Sequence, residues 1–152
     1  MKFYTSYFYN IRFMKPYQLP FSTAVWDPKW FHDNKSYSYI WKDGNGVYNG
    51  LRAELINPRN CNCIECCPCD KHNPESCDFL RSYREGLDKL DFQAVLNYFK
   101  AASDYIQQEE GFKEEPEIML IVYEVPNNPC SERRVLQEYF KAHGIEVSEW
   151  KL

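Results

Sequence analysis

The sequence predicts a single α/β domain over residues 1–152, a sheet with flanking helices, carrying an inserted cysteine-rich loop at 61–77. Three observations predict it. Glu117–Val125 reads EIMLIVYEV, a nearly unbroken apolar run of strand length bounded by Pro116 and Pro126. A strand covered on both faces has this pattern, which places it centrally in a parallel or mixed sheet. Residues 131–142 follow with Val135, Leu136, Tyr139 and Phe140 at helical spacing, and Ile145, Val147 and Trp150 then begin another strand. That tail is a β-α-β unit, for which a right-handed crossover is expected. The third observation is the aromatic, strand-like opening of the chain.

The length of 152 residues suits one domain that folds without disulfides. Aromatic residues make up 17%, enough large side chains to exclude disorder as the ground state. In chain order, Lys2–Tyr9 is rich in Tyr and Phe with Thr5 and Ser6 among them, which suits a strand. Pro16 and Pro20 break the chain, and Phe21–Trp26 is the next strand candidate. Asp27–Gly50 reads as an ordered loop with a hairpin turn at Asp43-Gly44-Asn45-Gly46. After the cysteine loop, apolar residues at 79, 80, 83 and 87 predict a helix. Asp91 caps a longer one, whose buried face is Phe92, Val95, Leu96, Phe99, Ala102 and Ile106 and whose stop is Gly111. No repeat, linker or low-complexity segment interrupts this order.

The net charge of −4 supplies no general attraction to nucleic acid or to an anionic membrane, so nucleic acid is not an expected partner. No apolar run reaches the roughly 18 residues that span a bilayer. The opening MKFYTSYFYN has neither a continuous apolar core nor a small-residue cleavage site, and a cytoplasmic location is expected.

Six of the seven cysteines lie between Cys61 and Cys77. An odd total without a secretion signal argues against a disulfide scaffold. Closely spaced thiols beside a histidine point to metal, since zinc takes four thiolate or imidazole ligands at about 2.0–2.3 Å. Cys63 and Cys66 have the C-x-x-C spacing, and Cys66 and Cys69 repeat it in an overlapping frame. Cys61, Cys67, His72 and Cys77 complete the candidate ligands. These seven groups exceed one tetrahedral site and fall one short of two, so a single site with bystanders and a thiolate-bridged pair both fit. The segment has little apolar content, so a structural zinc would supply the energy that orders it. An iron–sulfur cluster is also chemically compatible.

Ligands of open α/β sheets sit at the carboxyl ends of the strands. Here that end is the turn Glu124-Val125-Pro126-Asn127-Asn128-Pro129-Cys130, leading into a helix at Ser131. Cys130 would lie beside the helix N-terminus, whose N–H groups and dipole favour a thiolate or cradle an anion. Ser131 is an ordinary N-cap, Glu132 suits the positive helix end, and Arg133 or Arg134 could lean toward a bound anion. The glycine-rich phosphate loops G-x-x-x-x-G-K-[ST] and G-x-G-x-x-G do not occur, and no arginine stands six residues after Cys130.

From Ile118 onward the chain resembles the C-terminal half of the family called domain of unknown function 488. Members carry an apolar strand ending in Tyr-Glu or Ala-Glu, with Cys-His-Arg opening a helix six residues later. Tyr123-Glu124, Cys130 at that spacing, and the closing Gly144-Ile145-Glu146-Val147 match. Tyr4-Thr5-Ser6-Tyr7-Phe8, Ser22 and Pro28-Lys29-Trp30 are similar to the opening of the phage- and bacteria-type members. The likeness covers about two thirds of the chain and leaves the cysteine-rich stretch as an addition. Cys130-Ser131-Glu132 stands where the family has Cys-His-Arg, so no acid–base histidine is carried over. The resemblance implies a Rossmann-like layered sheet with a pocket, and no particular reaction.

The expected function is binding of a small nucleotide-like or other anionic ligand at the carboxyl edge of the central sheet. Thr5, Ser6, Tyr7, Ser22, Trp30, Glu124, Cys130, Ser131 and Arg133 would form the pocket, hydroxyls and N–H groups holding phosphate and aromatics stacking a base. Two alternatives stand beside it. One is a thiol-dependent enzyme with Cys130 as nucleophile and Glu124 as acid or base. The other is a viral or bacterial accessory protein presenting a zinc-pinned loop and the aromatics Trp26, Trp30, Phe31 and Trp41 to a partner.

Overall fold

The central run forms the middle of a five-stranded, wholly parallel sheet. The computed structural model describes residues 1–32, 40–59 and 73–152. Its strands are β1 (Lys2–Tyr7), β2 (Gln18–Ser22), β5 (Leu51–Arg52), β6 (Glu117–Val122) and β7 (Val147–Glu149), in the order β5-β2-β6-β1-β7. Between β2 and β5 the chain forms a small antiparallel hairpin, β3 (Trp41–Lys42) and β4 (Tyr48–Asn49). Helices α1 (Asp78–Asp88), α2 (Phe92–Glu110) and α3 (Glu132–Ala142) complete the α/β architecture.

Strand β6 pairs with β1 along its whole length, Lys2 opposite Glu117 through Tyr7 opposite Val122, and with β2 from Gln18 to Ser22. Both of its faces are covered, as its unbroken apolar sequence requires. Ile118, Leu120 and Val122 pack under the helices with Phe3, Phe21, Phe99, Leu136 and Phe140. Met119 and Ile121 pack on the opposite face with Phe8, Ile11, Met14, Phe31 and Val47. Three helices therefore cover one face, and a 3-10 turn over Phe8–Phe13 with the hairpin region covers the other.

The caps match the sequence closely. Asp91 accepts from the Gln93 N–H at 3.0 Å, Ser131 from the Arg133 N–H at 3.2 Å, and Gly111 ends α2 at φ 69°, a left-handed position that a side chain resists. The hairpin turn is also where it was expected: Asp43 Oδ1 accepts from Asn45 N–H at 2.8 Å and Val47 N–H at 3.0 Å, and Gly46 supplies φ 81°.

Two strand assignments move. The first strand stops at Tyr7 instead of Tyr9, because Phe8–Phe13 turns over the strand ends. The second runs over 18–22 instead of 21–26, with Pro20 inside it. Thr23 N–H donates to Ile121 of β6, so residues 19, 21 and 23 direct their amides to β6 and Pro20 faces the β5 side. Strand β5 begins only opposite Phe21, so no ladder partner loses a donor at Pro20.

Candidate functional site

The connections leaving the two central strands cross opposite faces of the sheet. The segment after β1 packs on the Met119–Ile121 face, and α3, after β6, packs on the helical face. The carboxyl ends of β1 and β6 thus flank the point where such sheets open a crevice. That crevice is occupied by the protein itself: Phe8, which is buried, and Tyr123 stand with ring centroids 4.9 Å apart across it.

Polar groups gather to either side of this aromatic plug. On the β1–β7 side lies the first turn of α3. Ser131 caps the helix, and its hydroxyl donates to Glu124 Oε2 at 3.3 Å. Arg133 is 3% exposed; its Nε donates to Glu149 Oε1 at 2.7 Å and its Nη1 to Ser131 Oγ at 3.4 Å. Thr5 donates to the same Glu149 oxygen at 3.0 Å and accepts from Gln137 Nε2 at 2.7 Å. Burial raises the Glu149 carboxyl above its ordinary range, with Arg133 and Thr5 opposing that rise. Among the described residues, Arg133 Nη2 and Glu149 Oε2 are buried without partners, and they belong to this one ion pair, a side-on fork closed at one prong. The arginine expected to reach for an anion is thus occupied by a carboxylate of the sheet.

Glu132 is the most perturbed group there. It is buried, and its carboxyl is raised to about 8, first by loss of solvent and then by the charge of Glu124, against weaker opposition from Thr23 and Arg133. The free N–H groups of the helix end favour the ionised form, yet burial outweighs them. Thr23 has one hydroxyl proton, directed chiefly to Ile121 O at 2.9 Å, so its donation to Glu132 Oε1 at 3.3 Å is weak and offsets little of the cost of burial.

On the β2–β5 side the carboxyl ends open into a cavity of about 580 Å³. Its floor is an ion pair: Arg52 Nη1 donates to Asp27 Oδ2 at 2.6 Å, and Arg52 Nε to Glu54 Oε1 at 2.8 Å. Ser22 donates to Asp27 Oδ1 at 2.5 Å, and Arg52 Nη2 to Ala24 O at 3.2 Å. The Asp27 side chain is only 3% exposed, so the arginine and serine together replace its lost hydration. At the mouth, the Arg59 guanidinium lies 3.7 Å from the ring centre of Trp26, which is 67% exposed. His32 and Tyr98 complete the wall.

The nine residues expected to converge are dispersed by the pleat of β1 and by these two clusters. Thr5 turns to α3 and Glu149, while Ser6, the next residue, turns to the other face and accepts from Asn10 Nδ2 at 3.3 Å. Tyr7 stacks on Tyr9 at the end of β1. Glu124, Ser131 and Arg133 meet at the α3 cap, with the half-buried Cys130 just before it, its N–H donating to Asn128 Oδ1 at 2.9 Å. Ser22 belongs to the Asp27–Arg52 cluster, and Trp30 packs edge-on against Phe8 and Phe31. Asp27, Arg52, Arg59 and Glu149 carry no local motif; only the pairing of β5 with β2 and of β7 with β1 brings them to the edge. Of the metal candidates, Cys61, Cys63, Cys66, Cys67, Cys69 and His72 lie outside the described residues. Cys77 is buried at the N-cap position of α1. Among the described residues no group of three His, Cys, Asp or Glu is placed to hold a metal, and no helix is long and apolar enough to cross a membrane.

No family model matches the chain, and neither curated proteins nor solved structures give a match.

Proposed function

We propose that the protein binds a small anionic, nucleotide-like ligand at the carboxyl edge of its sheet, in the cavity over β2 and β5. One observation carries this reading: the Arg59 guanidinium lies over the exposed indole of Trp26, 3.7 Å from its ring centre, at the mouth of a cavity of about 580 Å³. A stacked guanidinium keeps its in-plane N–H donors for a phosphate or carboxylate, and the cation–π contact holds it in place. No ion pair of Arg59 is formed among the described residues, whereas Arg52 and Arg133 are both engaged by carboxylates. Tyr98 and Trp26 offer aromatic surface for a base. The Rossmann-like character of the sheet, which the family resemblance implies, is part of this proposal. Support for it comes from connections that leave β1 and β6 on opposite faces.

The test is a thermal-shift panel of nucleoside mono-, di- and triphosphates and pyrophosphate, followed by calorimetry on any ligand that responds. A ligand at a hundred times its Kd stabilises by about 2.7 kcal/mol. At this chain size that raises Tm by about 5–10 °C. Arg59→Ala should weaken binding about tenfold or more, as expected when a charge-assisted contact is removed. A panel without any shift, or binding indifferent to Arg59→Ala, would refute the reading.

The proposal includes structural zinc held by ligands drawn from Cys61, Cys63, Cys66, Cys67, Cys69, His72 and Cys77. Its support is the chemistry of the donor set, soft thiolates and an imidazole at metal-ligand spacings. A closed thiolate site of this kind stabilises a fold and does not itself open a position for substrate.

A further inference from the structure

A second, smaller cavity of about 300 Å³ lies on the face opposite the helices. That volume is at the low end for small-molecule sites. Three aromatic side chains line it, Phe8, Trp30 and Trp41, with Arg12, Asp43 and Asn49 as its polar groups. The walls are held. Trp41 Nε1 donates to Phe31 O at 3.1 Å, Trp30 packs edge-on to both Phe8 and Phe31, and Arg12 lies 3.8 Å from the Tyr9 ring centre with its Nε on Tyr9 O.

The polar groups are unevenly spent. Asn49 is 1% exposed, its Nδ2 donates to Val47 O at 3.0 Å, and its Oδ1 is a buried acceptor without a partner among the described residues. Asp43 commits one carboxylate oxygen to the hairpin turn, and no bond among those described engages the other. Arg12 uses Nε and has no ion pair among the described residues. Asn49 Oδ1 is closed off from solvent, so the cavity presents one acceptor, the second Asp43 oxygen, and one charged donor, Arg12, between aromatic walls. A bare cation is disfavoured by Arg12, and an anion by Asp43. A planar ring carrying N–H donors with a ring-nitrogen or carbonyl acceptor satisfies both, its faces meeting the indoles.

We infer that this cavity binds a planar nitrogen heterocycle with exocyclic N–H donors, of the nucleobase class. The site is distinct from the anion cavity and does not depend on it, since the ring needs no phosphate. The second Asp43 oxygen makes it selective, because a ring without N–H displaces water from that carboxylate and gives it no donor in return.

The experiment uses neutral nucleosides and the full chain. Indole N–H resonances of Trp30 and Trp41, assigned through Trp30→Phe and Trp41→Phe, are followed by heteronuclear NMR during titration with adenosine and with N6,N6-dimethyladenosine. Adenosine should shift both indoles with a saturable curve, and the dimethyl compound should bind at least tenfold more weakly. Trp30→Ala, at a half-exposed position, should remain folded by its dispersed amide spectrum and lose at least tenfold in affinity. Unmoved indoles, equal binding of the two nucleosides, or unchanged affinity in Trp30→Ala would each overturn the assignment. The adenosine titration is read at the Trp30 and Trp41 indoles and the phosphate panel at Arg59, so failure of the anion reading and failure of this one are separable.

Discussion

Replacing Glu132 by Gln should remove most of a steep alkaline loss of stability. The carboxyl titrates near 8 in the folded protein, against an ordinary value of 4.5. Between those two values the folded chain holds a proton that the unfolded chain has released, so stability falls as pH rises. Below 4.5 both states are protonated and the penalty vanishes; above 8 it is complete. At roughly 1.4 kcal/mol for each pH unit, the full span amounts to about 5 kcal/mol, of which about 3 is already present at pH 7. Glutamine keeps the shape and can accept from Thr23 Oγ1 as the carboxyl does, but it cannot ionise. Urea unfolding of both proteins from pH 4.5 to 9 isolates the contribution of Glu132 and its coupling to Glu124, because groups not coupled to Glu132 cancel in the difference. Glu132→Gln should match the parent near pH 4.5 and exceed it by several kcal/mol at pH 8.5. Glu124→Gln should move the parent's fall to higher stability at neutral pH, since the Glu124 charge is the second cause of the raised value. A stability difference that stays flat within about 0.5 kcal/mol over this range would refute a buried neutral Glu132.

Three further outcomes follow from the same structure. Native protein purified without chelator should contain one or two zinc ions per chain by mass spectrometry. Prolonged chelation should lower Tm by several degrees, and a metal-free native protein would remove the zinc proposal. Arg52→Ala leaves the buried Asp27 carboxylate without its guanidinium and should cost about 3–5 kcal/mol in urea unfolding. The double variant with Asp27→Asn should recover a good part of that loss. Ser131→Ala removes the α3 cap and the Glu124 and Arg133 contacts at once, and should cost about 1–2 kcal/mol, again by urea unfolding.

What the sequence revealed and what it hid divide along the line between local and non-local physics. Strand β6, the buried face of α2, the Asp91 and Ser131 caps and the Asp43–Gly46 turn depend on residues within a few positions of one another, and periodicity or side-chain chemistry discloses them. Placing Thr5 and Ser6 in one pocket failed on the simplest rule of a strand, that neighbours face opposite ways, once β1 proved to be covered on both faces. Asp27 and Arg52 were invisible because their meeting depends on β5 pairing with β2, which no spacing encodes.

Connection length then decides where the sheet edge opens. The link from β1 to β2 has only residues 8–17 to cross a strand, so it turns at once after Tyr7 and drops Phe8 over the strand ends against Tyr123. The link from β2 to β5 spans residues 23–50, and within it the β3–β4 hairpin packs on the face opposite the helices. A short crossover seals the crevice at the middle of the sheet, and a long one leaves a cavity beside it, floored by the ion pair that its two ends supply. On this argument, the open cavity at the carboxyl edge of the sheet lies two strands away from where its central topology alone would put it.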